Sequence, residues 1–213
     1  MKNLIIILFL AVFQVGNIFA QDTLKKKTAD NPYPRNAWTV GLTATETGFG
    51  FSGGYFKNLN KDYDLFITLS VSSVSDPREI QQYDYWGNTY IAGKQNRVYS
   101  IPLTIGIQRY MFRDDIEGNL RPYIIAGVSP ALILTNPYSE SFFSAIKYTQ
   151  PSFAAGGFIG IGLEFVESTA LSLSINARYS YIPVIGREIN SLENTPLKDI
   201  GGLQISFLVN FLH

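Results

Sequence analysis

The sequence has no cysteine. Disulfides, thiolate metal centres, a cysteine nucleophile and a lipid-bearing cysteine at a processed terminus are all excluded. Histidine is nearly as scarce: His213, the last residue, is the only one, so an imidazole-rich metal centre has nothing to be built from. Charge is sparse and balanced, with 17 Lys and Arg against 17 Asp and Glu, which removes the basic surface that polynucleotide binding needs. Runs long enough for a membrane helix are missing too. The one extended apolar stretch, Leu4 to Val15, falls short of the roughly 20 residues required to span. Apolar residues at helical spacing are hard to find anywhere.

What the chain has in quantity is aromatic residues and glycine, with 13 Tyr, 15 Phe and 18 Gly, a composition suited to many strands and turns. Lys2 and Asn3 lead into the short apolar stretch, which ends in "GNIFA" before Gln21 and Asp22. This order is that of a secretory signal peptide over residues 1–20, with cleavage after Ala20; an uncleaved anchor helix is the alternative. Residues 21–36, "QDTLKKKTADNPYPRN", are polar and proline-bearing and read as a flexible leader. The folded domain is expected over 37–213.

From Ala37 onward a two-residue period recurs. In "LSLSINARYSY", Leu171, Leu173, Ile175, Ala177, Tyr179 and Tyr181 alternate with Ser172, Ser174, Asn176, Arg178 and Ser180. The same pattern predicts strands near 37–45, 48–57, 63–74, 97–111, 152–165, 170–183 and 201–212. An eighth, near 120–134, is apolar on both faces, and its parity stays open. Links between strands alternate short and long, the long ones near 75–96, 135–151 and 182–200, and only the 45–48 turn breaks the rule. An even number of strands with long links at one end describes an up-and-down meander, all-β and antiparallel.

Alternation alone does not say which face meets solvent. In a soluble lipocalin-like barrel the large apolar residues fill the inside and charges cover the outside. Here the polar face carries serine, threonine, glycine and asparagine with few charges, a poor exterior for a protein in water. Turned outward, the apolar face makes a lipid-facing band, which should be edged by aromatic residues at both interfaces. Trp38, Tyr55, Tyr63, Phe165 and Phe211 fall at the short-turn end, and Phe49, Tyr99, Phe153, Tyr179 and Tyr181 at the long-loop end. In hydrocarbon a sheet satisfies all its N–H and C=O groups only by closing on itself. Eight strands of about ten residues are enough to span and to close. The expected architecture is therefore an eight-stranded antiparallel transmembrane β-barrel, its lumen packed by Phe56, Phe66, Phe158 and Leu208 with inward glycines making room.

The lumen is expected to hold a polar set of Asp64, Gln108, Arg121, Glu164, Asn176 and Arg178. Glu164 pairs with Arg121 across neighbouring strands, and Asp64 and Arg178 find polar partners higher up, since an isolated lumen charge is costly. This network is read as structural, with an ion gate as the alternative. In the long links Tyr83, Tyr85, Trp86, Tyr90, Phe142 and Phe143 suit contacts to a surface protein or glycan, or pack on one another above the rim.

Other candidate chemistry is weak. "GFGFSG" (48–53) has dinucleotide-loop spacing but is followed by a strand end and turn instead of a helix. A serine hydrolase needs a histidine base, and His213 lies at the opposite rim from the long loops. "RDDIEGN", with Asp114, Asp115 and Glu117, lacks calcium-loop spacing. No enzyme, cofactor or metal is expected.

The signal peptide, "LSLSINARYSYIP" and the terminal "GGLQISFLVNFLH" together resemble the small outer-membrane β-barrels of Gram-negative bacteria, the OmpA-like and OmpX-like, porin-like eight-stranded barrels, over residues 37–213. The family's last strand usually ends on an aromatic residue, whereas here Leu212 and His213 follow Phe211. The resemblance implies an exported outer-membrane monomer in contact with outer-membrane lipid and lipopolysaccharide, inserted by the barrel-assembly machinery. It implies a structural or surface-interaction role for the long loops; a narrow passive pore and a component of a secretion or assembly machine are the alternatives.

Overall fold

In a computed structural model, described over residues 36–76, 78–112, 116, 118–138, 144, 146–186, 189–193 and 195–213, the two-residue period becomes one closed sheet. The strands are β1 (Ala37–Thr45), β2 (Gly48–Asn58), β3 (Tyr63–Val74), β4 (Gln81–Tyr83), β5 (Thr89–Ile91), β6 (Asn96–Tyr110) and β7 (Leu120–Pro137). They continue with β8 (Gln150–Val166), β9 (Leu171–Tyr181), β10 (Val184–Ile185), β11 (Ile189–Leu192), β12 (Thr195–Leu197) and β13 (Gly202–Leu212). The expected signal peptide and all of the leader but Asn36 lie outside the described residues.

Eight strands, in ring order β1-β2-β3-β6-β7-β8-β9-β13, form an antiparallel barrel. The ring closes where β1 meets β13, in unbroken register from Ala37↔Leu212 to Thr45↔Gln204. That seam leaves neither of the terminal barrel strands with an open edge.

The faces divide as the alternation requires. Leu173 (41 %), Ile205 (40 %) and Phe207 (50 %) point outward, while Ser174 (8 %) and Ser206 (4 %) point into the lumen. The outer surface is a belt of Leu, Ile, Val and Phe, the arrangement that hydrocarbon stabilises and water penalises. β7 settles the parity that the sequence left open: Tyr123, Ile125, Ser129, Ala131 and Ile133 are buried inside, with Ile124 and Val128 exposed outside. Both faces of β7 are apolar because its inward residues help build the apolar layers that close the lumen.

Strand lengths are unequal. β6, β7 and β8 have 15, 18 and 17 residues against 9 to 12 for the other barrel strands. At about 3.3 Å per residue, the extra length raises one wall roughly 15–20 Å above the other at the long-loop end. The long links also contain order that no alternation betrayed: β4 pairs with β5, β11 with β12, and β10 extends the sheet on β8.

Ile67 lies at the middle of β3, exposed on the outer face. Ile67→Arg is expected to destabilise the barrel by about 2–4 kcal/mol, read from reversible urea unfolding in lipid vesicles with heat-modifiable gel migration as the measure of folding.

Candidate functional site

The lumen is built in layers. At the short-turn end, β3 and β8 bring Asp64 and Glu164 inward, both buried, with the Tyr110 hydroxyl of β6 between them, 3.0 Å from Asp64 Oδ2 and 2.7 Å from Glu164 Oε2. Asn58 Nδ2 donates to Asp64 Oδ1 at 2.8 Å, and Ser172 Oγ donates to Glu164 Oε1 at 2.5 Å. Asn210 Nδ2 in turn donates to Ser172 Oγ (3.1 Å) and Ser174 Oγ (2.8 Å). The tyrosine has one hydrogen, so it serves one carboxylate at a time and holds the two acids in a single cluster.

This arrangement corrects two expectations. Arg121 stands directly opposite Glu164 in register, but the carboxylate is held by Tyr110 and Ser172, and no ion pair joins it to the guanidinium. Asp64 does not lie higher up; it shares the layer of Glu164. Register identifies partners on adjacent strands, whereas Tyr110 reaches Glu164 from β6, two strands away in the ring.

Immediately above, Phe56 stacks on Phe66 with ring centroids 5.1 Å apart. Phe158 lies 6.1 Å from Phe66, and Tyr123 meets Tyr110 edge-on at 6.2 Å. With Ile125, these side chains form one apolar cluster inside the lumen. Glycine makes this possible: a Cβ at Gly162 would fall 2.3–2.5 Å from the Tyr123 ring. Leu208 lies higher, lining a polar cavity beside Gly41.

The next layer is polar. Gln108 and Asn176 are buried there, Thr43 and Ser206 share a hydrogen bond at 3.1 Å, and so do Thr104 and Ser129 at 3.2 Å. Arg178 donates from its terminal nitrogen to Gln204 Oε1 at 2.9 Å and lies over the Phe158 ring, 5.1 Å from its centroid. Two cavities of about 30 Å³ each flank this residue, each the size of one water.

A second apolar layer closes the long-loop end. Val74, Val98, Ala131, Ile133 and Ala154 of the wall meet Ile182, Ile189, Leu197 and Ile200 from the last long link. The β11–β12 hairpin that carries Ile189 and Leu197 is clasped to the link before β6. Ser191 Oγ donates to Glu79 Oε1 at 2.5 Å, Lys94 forms an ion pair with Glu79, and Gln95 N–H donates to the Ser191 carbonyl at 2.8 Å. Burial alone would raise the Glu79 carboxyl, but the hydrogen bonds from Lys94 and Ser191 outweigh it and hold the group below the usual glutamate range.

Outside the lumen, Trp38 tilts against Tyr55 at 4.9 Å, and Tyr55 lies 5.9 Å from the His213 ring. Tyr63 sits under the Arg109 guanidinium at 5.7 Å, with Phe165 and Phe211 exposed at the same end. At the other end Phe49, Phe153, Tyr179 and Tyr181 are exposed, and Tyr99 is half-buried. The loop aromatics gather on the β4–β5 hairpin, where Tyr85 (94 %) and Trp86 (82 %) stand out in solvent and pack edge-on at 5.5 Å. Tyr83 and Tyr90 are exposed beside them, and Tyr90 donates to Gln82 Oε1 at 3.0 Å. The Asp84 carboxylate fixes the tip by accepting from the N–H groups of Trp86 (2.9 Å) and Asn88 (2.7 Å). Phe142, Phe143, Asp114, Asp115 and Glu117 lie outside the described residues, and among those described no cluster of three or more metal-ligating side chains occurs.

No family model and no curated protein matches the chain. Solved structures do. The N-terminal β-barrel domain of Pseudomonas aeruginosa OprF superposes with a TM-score of 0.50 at 16 % identity, covering 84 % of this chain and 97 % of that one. Neisserial surface protein A gives 0.50 and 16 %, covering 84 % and 95 %. This is the fold of a small outer-membrane β-barrel. In an outer-membrane barrel of eight strands the lumen is too narrow to stay open unless its side chains are small, and this one is filled by aromatic rings below and by a folded link above.

Glu79 has its hydrogen bonds only in the folded state, so its depressed carboxyl stabilises the clasp above the unfolded value of 4.5 and loses that stabilisation as pH falls below it. Hydrogen-exchange protection over residues 189–193 and 195–197, corrected for the intrinsic pH dependence of exchange, is expected to fall on acidification below that value, and in Lys94→Ala already at neutral pH. At the other end, Tyr110→Phe strips the two acids of their shared donor and is expected to cost about 1–3 kcal/mol in urea unfolding.

Proposed function

We propose that the protein is an exported, monomeric resident of the Gram-negative outer membrane, neither an enzyme nor a pore, with a structural and surface-interaction role carried by its long-loop face. The observation that carries this reading is the filled lumen: among the described residues, apolar clusters toward both ends flank two cavities of about 30 Å³. A barrel stopped in this way offers solutes no passage, and its exposed chemistry is concentrated on the β4–β5 hairpin. The apolar belt meets outer-membrane phospholipid and lipopolysaccharide, and the β13 strand, which closes the ring on β1, is what the barrel-assembly machinery receives. The hairpin, with its turn fixed by Asp84 and its Tyr85 and Trp86 rings in solvent, suits a protein or glycan ligand, because rigid aromatic side chains bury much area at little entropic cost.

Purified barrel in planar bilayers is expected to give no stepwise conductance, and Glu164→Gln to behave the same. Stable conductance steps in the wild type, or solute-driven swelling of liposomes, would replace this reading with a passive pore. On the surface side, Tyr85→Ala with Trp86→Ala is expected to keep heat-modifiable migration unchanged while lowering adhesion of barrel-displaying cells to protein- or glycan-coated surfaces about tenfold or more.

A further inference from the structure

Arg178 stands in an unusual position for a lumen charge. The residue is 9 % exposed, and its guanidinium carries five N–H donors and a fixed positive charge. Gln204 takes one donor, and the Phe158 ring lies against the cation. Both partners are neutral. The Nε donor has no protein acceptor. Among the described residues no carboxylate lines either of the two cavities that flank Arg178; the lumen acids Asp64 and Glu164 are gathered around Tyr110 at the short-turn end.

The lower cavity has a second unused donor. The Ser52 hydroxyl is buried without a protein partner and lines the same space as Arg178, together with the hydroxyls of Thr43, Ser70 and Ser206. The position is constructed from neighbouring strands. Gly160 is directly opposite Arg178 on β8, and a Cβ there would fall 2.6 Å from the Arg178 Cβ. Gln204, opposite Arg178 on β13, both accepts from the guanidinium and donates to Ser206 Oγ at 3.1 Å, so the arginine is oriented as well as accommodated.

The geometry points to a binding site for one small monovalent inorganic anion, of chloride size, held in the polar layer between the Arg178 guanidinium and the hydroxyls of this cavity. A water would satisfy the loose N–H but leave the charge unbalanced in a lumen sealed by apolar layers, where an unpaired ion is costly. An anion satisfies both. The cavity is small, about 30 Å³, which suits a single compact ion. Hydroxyl donors with freely rotating hydrogens complete the coordination without a second cation.

The deciding experiment uses the full barrel crystallised in bromide, with diffraction recorded at the bromine edge. An anomalous peak within about 3.5 Å of the Arg178 guanidinium is expected; density for water alone at that place overturns the proposal. In detergent, thermal unfolding at matched ionic strength supplies the functional readout. Chloride in place of gluconate is expected to raise the wild-type midpoint saturably, by roughly 3 °C or more, and to leave Arg178→Met unmoved. An equal chloride response in the two proteins overturns the site. Should Arg178→Met fail to fold, the bromide diffraction of the wild type decides alone. Neither measurement reads conductance or adhesion, so a negative result here leaves the surface role standing, and a positive one does not depend on it.

Discussion

Backbone hydrogen bonding in hydrocarbon is the constraint on which the rest of this molecule depends. A strand that faces lipid has no water to satisfy a loose N–H or C=O, so a sheet in that setting has no tolerable edge. The β1–β13 register, unbroken from Ala37↔Leu212 to Thr45↔Gln204, removes the last one. Once the ring is closed, alternation does the remaining sorting. One set of side chains must suit lipid, and the other must fit a narrow tube.

The tube imposes a volume problem, and the solution differs along its length. Where large rings cross the lumen, the facing wall thins to glycine, as at Gly162 under Tyr123. Where the wall carries serine and threonine, the centre holds Arg178 and Gln204 with two small cavities. At the long-loop end the wall alone does not fill the space, and the last link folds in with Ile189 and Leu197 to complete it. Polar and apolar layers therefore alternate along the axis: the two acids lie at the short-turn end beneath the aromatic layer, and Arg178 lies between that layer and the apolar one at the long-loop end.

Much of this was legible in the sequence. A serine-rich face opposite a leucine-rich one, repeated strand after strand, fixes the barrel and the facing of Leu173, Ile205 and Phe207, because a period of two admits only one inside. β7 defeated that logic, since both of its faces are apolar for different reasons, one meeting lipid and the other building the lumen layers. Tyr123 was missed with it. Tyr110 was within reach: it shares parity with Gln108, and counting two further along the strand turns it inward. The partner of Glu164 was not, because strand register describes neighbours along the wall and says nothing of side chains that meet across the lumen. The β11–β12 hairpin escaped for a related reason. Its few apolar residues lie in a stretch rich in Asn, Ser and Pro, and their burial is decided by a clasp to Glu79 and Lys94, more than ninety residues earlier in the chain.

The seam also carries a temporal meaning. β1 and β13 are the first and last strands of the barrel, so their union is the contact of greatest sequence separation, and loop-closure entropy places such contacts late. The hairpin that stoppers the mouth precedes β13 in the chain, and its clasp reaches back to residues that precede β6. A cylinder zipped shut before that stopper is tucked would have to admit it through a finished rim, past the raised wall of β6, β7 and β8. The economical route packs the stopper while the sheet is still an open trough, so that lateral zippering of the final strand locks the contents in place.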